Sequence, residues 1–245
     1  MSKFRNRIRD MGRAPAGFGF GTVMSQRSTR HMLVVAEVED AAAATAAAEA
    51  GVDAVVLRGS ASALEGLKLT NNALIGIWLE DATGTEVLAA QKAGADFFLF
   101  DDGRAHASAL TPTDIGRILL LGPDQETERR RSVAALDLDA VVVTGEVGAT
   151  TVRDQLTLRR VAGMTGASLL VAANAVPDTE TLEAWRDAGA PAVLVSGSAS
   201  DIRAAVLAAD AVPASKRRDD RGATPIIGVT RSSSHDHDHD DEDDD

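Results

Sequence analysis

Between residues 31 and 212 the chain alternates short apolar runs with longer stretches that are rich in alanine or opened by an acid. The runs are four to seven residues long and show no polar alternation. A strand with one wet face would alternate. An unbroken apolar run of this length fits a strand covered on both faces, as in a parallel sheet. Four segments repeat one pattern of apolar run, helical stretch, small-residue turn and second apolar run: LVVAEVEDAAAATAAAEAGVDAVVLRGS, LIGIWLEDATGTEVLAAQKAGADFFLFDDG, ILLLGPDQETERRRSVAALDLDAVVVTGEVG and LLVAANAVPDTETLEAWRDAGAPAVLVSGSAS. Each reads as a β-α-β unit, and four units supply eight strands.

The punctuation supports this reading. Asp40, Asp81, Asp124 and Asp178 stand where a helix should begin and are expected to be N-caps, while Gly51, Gly94 and Gly189 follow expected helix ends, where left-handed backbone is wanted. Four similar quarters predict a closed (β/α)8 TIM barrel over residues 31–212, since closure gives every quarter an equivalent place. The alternative is a doubly wound parallel sheet, whose strand order would reverse midway. At about 182 residues the barrel is shorter than the typical ~250, which leaves little chain for lids. The helices after strands 2 and 4, near 61–68 and 105–110, are expected to be short.

Charge divides the chain further. Residues 1–30 form a basic N-terminal arm with seven basic residues and one acid, Asp10. Residues 213–245 form a linker and an acidic His/Asp tail expected to be disordered. Of the formal charge of −12, eight units come from acids among the last ten residues, which leaves about −4 elsewhere. Phe4, Ile8 and Met11 make a thin apolar stripe in the arm, which suits docking across the barrel bottom or on a partner better than anchoring in a membrane. Nucleic acid is not expected, because only Phe18 and Phe20 interleave with the basic residues and the chain as a whole is acidic. The oppositely charged ends are candidates for mutual attraction, within a chain or between chains. His235, His237 and His239 read as part of a solubilising tail rather than as a defined metal site.

The absence of cysteine excludes disulfides, thiolate metal sites and cysteine nucleophiles. The start, MSKFRNRIRD, lacks the apolar core of a secretory signal, and no apolar run approaches the ~18 residues of a membrane span. A cytoplasmic protein is expected.

Chemistry in such a barrel sits at the C-terminal ends of the strands. Superposing the second strands of the quarters puts Arg58, Asp101, Thr144 and Ser196 in equivalent places, on one level of the mouth if the register holds. Arg58 is then a candidate anion ligand, and Asp101 or Asp102 a candidate acid or base. A purely structural ion pair between Arg58 and the aspartate of the same layer, closing the barrel top, is the competing reading. Glu146 and His106, the one histidine near the mouth, complete the catalytic candidates. Glu37 and Glu80 are candidate ligands for Mg²⁺ or Mn²⁺, against the alternative that acids near these strand ends serve helix dipoles. No lysine lies at a strand end, which argues against a Schiff-base aldolase.

The last quarter, AGAPAVLVSGSAS followed by DIRAAVLAA, resembles the strand-8 region of phosphate-binding (β/α)8 barrels, the group of thiamine phosphate synthase, indole-glycerol-phosphate synthase and phosphoribosylanthranilate isomerase. The resemblance spans about residues 168–208. It implies that backbone N–H groups of the Gly197–Ser198 turn hold a phosphate at a helix N-terminus. The strand-7 half departs from the family, with Asn174-Ala175 where a Gly-Gly pair is usual, so Asn174 is a candidate ligand residue of a different kind. Two functions are left open. One is a barrel binding a small anionic or phosphorylated metabolite, as a lyase or isomerase. The other is a non-catalytic barrel serving assembly through its charged arms.

Overall fold

The computed structural model describes residues 2–11, 30–122, 131–144 and 151–214. The apolar runs form strands β1 (Leu33–Val38), β2 (Ala54–Arg58), β3 (Leu74–Trp78), β4 (Phe97–Asp101), β5 (Gly116–Leu121), β6 (Ala140–Val143), β7 (Ser168–Ala173) and β8 (Ala192–Ser196). Every strand pairs in parallel with its neighbours in chain order, and β8 returns to β1. The chain is a closed (β/α)8 barrel, and the doubly wound alternative is set aside by that closure.

Helices α1 (Lys3–Asp10), α2 (Ala41–Ala50), α3 (Gly84–Lys92), α4 (Val152–Thr165), α5 (Thr179–Asp187) and α6 (Ala199–Asp210) are described, with single 3₁₀ turns at Ala61–Leu64 and Ala107–Leu110 where short helices were expected. Asp40 and Asp178 cap α2 and α5 through side-chain oxygens that accept from Ala43 N and Thr181 N. Asp81 does not cap α3. Thr83 does, because its hydroxyl takes the Glu86 N–H while Glu86 reaches back to the Thr83 N–H, which satisfies two end donors at once. Asp124 lies outside the described residues. Gly51, Gly94 and Gly189 all adopt positive φ, as their places after helices demanded.

The strands are buried on both faces. Inside the barrel, Leu33, Val35, Ala54, Val56, Phe97, Leu99, Ile118, Val142, Leu170 and Leu194 pack together. Their neighbours of opposite parity, such as Val34, Ala36, Val55, Leu57, Phe98 and Phe100, pack with helix residues including Ala44, Val87, Leu158, Trp185 and Ile202. Room inside is limited. Gly76 faces Phe97, and a Cβ there would fall 2.3 Å from the ring.

The bottom of the barrel is closed by α1. Phe4 is fully buried against Phe97, ring centroids 4.8 Å apart, with Ile8 and Met11 beside it. Of the two uses open to this stripe, barrel bottom or partner, the structure shows the first. Three aspartates that precede the second strand of successive quarters receive the basic residues. Asp53, Asp96 and Asp139 each accept the backbone N–H of the adjacent strand, from Val34, Ile75 and Arg117 at 2.9–3.0 Å. Each also pairs with a basic residue of the N-terminal segment: Asp53 with Arg30, Asp96 with Lys3 and Asp139 with Arg5, at 2.6–2.8 Å. The fourth quarter has Pro191 in this place, so the ring has three acids. Burial works against the charge of Arg30, yet its bonds to Asp210 and Asp53 hold its pKa above the ordinary arginine value. Among the described residues no helix is long and apolar enough to cross a membrane.

Candidate functional site

Strand parity decides what reaches the mouth. Because Leu33 and Val35 point inward, Glu37 continues that row; by the same alternation Arg58, Trp78, Asp101, Leu120, Thr144, Ala172 and Ser196 end the other inward rows. Trp78, Leu120 and Ala172 rest on the apolar interior and form the floor. The four residues expected to share a level do stand at corresponding strand ends, but they are not partners of one another.

Arg58 turns to β1 and β3. Its Nε donates to Glu37 Oε1 at 2.5 Å, and its guanidinium carbon lies 3.7 Å from the centroid of the Trp78 ring. A guanidinium flat on an indole face is held by the ring's negative face and by a large dispersion contact. Glu37 fixes the remaining rotation. Among the described residues Glu37 is the guanidinium's hydrogen-bond partner, so Nη1 and Nη2 keep their donors while half of the side chain stays exposed. Glu37, Arg58, Ser196, Gly197 and the first residues of α2 and α6 line a cavity of about 430 Å³.

The other candidates are engaged elsewhere. Asp101 is partly buried at the end of β4 and its Oδ1 accepts the Gly103 N–H at 2.7 Å, folding the loop back on the strand. Asp102, also partly buried, follows it. His106 caps the 3₁₀ turn: its Nδ1 accepts the Ser108 N–H at 3.2 Å and lies 2.8 Å from the Ser108 hydroxyl, so the neutral ring carries its proton on Nε2. Thr144 follows β6 and gives its N–H and hydroxyl to the Leu121 carbonyl. Asn174 is exposed after β7. Glu146 lies outside the described residues.

Glu37 and Glu80 do not come together as a metal pair. Glu37 is tied to Arg58, while Glu80 and Asp81 are gripped by Arg104 at 3.0–3.1 Å. The hydrogen bonds that Asp81 accepts, and its negative charge, raise the pKa of this exposed arginine. Among the described residues no group of three or more His, Asp or Glu side chains is placed to hold a metal ion.

The turn after β8 is shaped as the family resemblance implied, with Gly197 at φ +139° and Ser198 as N-cap of α6. Two of its N–H donors, however, are met from within. Asp201 Oδ2 accepts the Ser198 N–H at 3.0 Å and the Ser198 hydroxyl at 2.6 Å, and the Asp201 N–H goes back to the Ser198 hydroxyl. These bonds from Ser198 hold the Asp201 carboxyl below the usual aspartate range.

No known protein family matches the chain, and no curated protein matches it in sequence. Solved structures do match in fold. A phosphoribosyl anthranilate isomerase from Thermus thermophilus aligns at 15% identity and TM-score 0.54, over 72% of this chain and 97% of that one. Tryptophan synthase from M. tuberculosis aligns at 13% identity and TM-score 0.59, over 86% and 99%. A mutant tryptophan synthase alpha-subunit from Pyrococcus furiosus gives 13% identity and TM-score 0.55, over 76% and 97%. The likeness is one of fold, and it agrees with the resemblance seen in the last quarter of the sequence.

Trp78 is the site residue that sequence reasoning passed over. It is the last residue of β3, two positions before Glu80, and the parity that brought Arg58 to the mouth also marks Trp78. In the sequence it is one more member of an apolar run, with no chemical signal of its own.

Proposed function

We propose that the barrel binds a small anionic metabolite at its C-terminal mouth and that Arg58 is the anion contact. One observation carries this reading: Arg58 is held in place by Glu37 and the Trp78 face while its two terminal nitrogens remain available over an open cavity. A purely structural ion pair needs neither the stacking nor the spare donors. Preorganisation of this kind lowers the entropy lost when an anion docks on a guanidinium. The chemistry that fits is a lyase or isomerase step, with Asp101 or Asp102 at the end of β4 taking or returning a proton. The fold neighbours include isomerase and synthase barrels, which supports that class by analogy.

A second reading is favoured by a different observation. His106 is used as a cap and the Ser198 N–H at the start of α6 is taken by Asp201, so two groups that a catalytic barrel would keep free are employed structurally. This suits a non-catalytic barrel acting in assembly.

Thermal denaturation in the presence of succinate, inorganic phosphate, phosphorylated sugars and divalent metals separates the two. Anion binding at a hundredfold the dissociation constant raises stability by about 2.7 kcal/mol. The first reading predicts such a rise with at least one anion and its loss in Arg58→Ala. No response to any of the ligands would favour the assembly reading.

A further inference from the structure

We propose that Asp201 is a specificity-determining residue that closes the β8 turn to phosphate, so the anion accepted at the mouth is a carboxylate. The inference rests on the anion-binding reading given above and narrows its substrate class.

Three features of the turn lead there. A helix N-terminus attracts anions because its first N–H groups lack partners inside the helix and share a positive partial charge. At α6 an anion is already present, since Asp201 places one carboxylate oxygen on both the N–H and the hydroxyl of Ser198. The same oxygen lies 3.0 Å from where a Cβ on Gly197 would stand, so the carboxylate also fills space over the glycine. A phosphate brought to the Ser198 N–H would have to displace the carboxylate, and one resting on the Ala199 and Ser200 N–H groups of the first turn would lie beside it. The bonds from Ser198 lower the pKa of Asp201 and keep it ionised at neutral pH, so a phosphate seated at this turn meets repulsion as well as competition.

The rest of the cavity gives phosphate little compensation. Among the described residues its lining contains one cation, Arg58, together with Glu37, Glu39 and Asp40. Glu37 already neutralises part of the arginine, and Asp40 is committed to capping α2. A single guanidinium with two free terminal nitrogens matches the two oxygens and single charge of a carboxylate. A phosphate concentrates up to two charges on the one group the guanidinium contacts, whereas succinate presents a singly charged carboxylate to Arg58 and can leave its second carboxylate in water.

The test compares inorganic phosphate and succinate on wild type, Asp201→Ser, Asp201→Asn and Arg58→Ala by isothermal titration. Wild type is expected to bind succinate and to bind phosphate at least about tenfold more weakly. Asp201→Ser, which vacates the donors, is expected to gain phosphate affinity by about tenfold or more, with succinate affinity little changed. Asp201→Asn preserves an acceptor for Ser198 without the charge, and its phosphate affinity should fall between the two. Phosphate binding wild type as well as succinate, or no gain in Asp201→Ser that retains its helix content, would overturn the inference while leaving Arg58-dependent anion binding intact. Failure of wild type to bind either anion would overturn the anion-binding reading and this inference together.

Discussion

Arg58 separates stability from binding more cleanly than any other side chain at the mouth. Its pair with Glu37 joins a half-exposed guanidinium to a mostly covered carboxylate, and such a pair contributes on the order of 1 kcal/mol or less. The Trp78 contact adds roughly 0.5–1 kcal/mol at an exposed site. Arg58→Ala is therefore expected to lower the unfolding free energy by no more than about 1–2 kcal/mol and to abolish succinate binding. A large destabilisation with retained binding would assign the residue to the fold alone. Gly76 makes the opposite case. A methyl group there meets the Phe97 ring at 2.3 Å, so Gly76→Ala is expected to cost about 1–3 kcal/mol through overpacking, measured by urea denaturation. The sequence showed neither constraint. Arg58 was visible as a polar residue at a strand end, but its partner was not, because Glu37 and Trp78 become its neighbours only through the pairing of β2 with β1 and β3.

At the scale of elements, the N-terminal helix shows what burial does that charge does not. Phe4 is 1% exposed, whereas the Lys3 side chain that pairs with Asp96 is 74% exposed. Removing Phe4 leaves a void under the barrel, so Phe4→Ala should cost about 3–5 kcal/mol. Lys3→Ala should cost less than about 1 kcal/mol and lose even that at high salt. Equal losses in the two variants would show that α1 is held by charge. The Phe4-Ile8-Met11 stripe was legible from its spacing, but the choice between barrel and partner was not. The aspartates that receive the arm recur in the sequence as VDAVV, ADFFL and LDAVV; their role depends on strands that meet only after closure. Helix starts were legible in two of the three described cases expected. At α3 the reading chose Asp81 where Thr83 and Glu86 form a reciprocal pair, a signal that was present in the spacing of Thr83 and Glu86. Caps also give a pH dependence. Asp178, through bonds from Thr181, and Asp201, through bonds from Ser198, both have depressed pKa values. A group depressed in the folded state contributes stability above its ordinary range and loses it as pH falls through the lowered value. Melting temperature should therefore decline on the acid side of the ordinary aspartate range. The decline should be shallower in an Asp178→Asn, Asp201→Asn double variant, and identical acid limbs in the two proteins would contradict the assignment.

For the whole molecule, fourfold repetition was the strongest signal in the chain, and it led directly to eight strands and a closed sheet. Regular spacing of apolar runs carries that information locally, unit by unit. The mouth is assembled from the ends of different units, so the Glu37 and Trp78 partners of Arg58 follow from barrel register and emerged only with the fold, whereas the His106–Ser108 and Ser198–Asp201 contacts lie within single segments. The most direct test of anion binding at that mouth uses the chain's two tryptophans. Trp78 lies under Arg58, while Trp185 is buried on α5. In a ¹H–¹⁵N spectrum of wild type titrated with succinate, the Trp78 indole signal is expected to shift to saturation while the Trp185 signal stays in place, and the shift should vanish in Arg58→Ala. A stationary Trp78 signal in wild type, or the same shift persisting in Arg58→Ala, would contradict it.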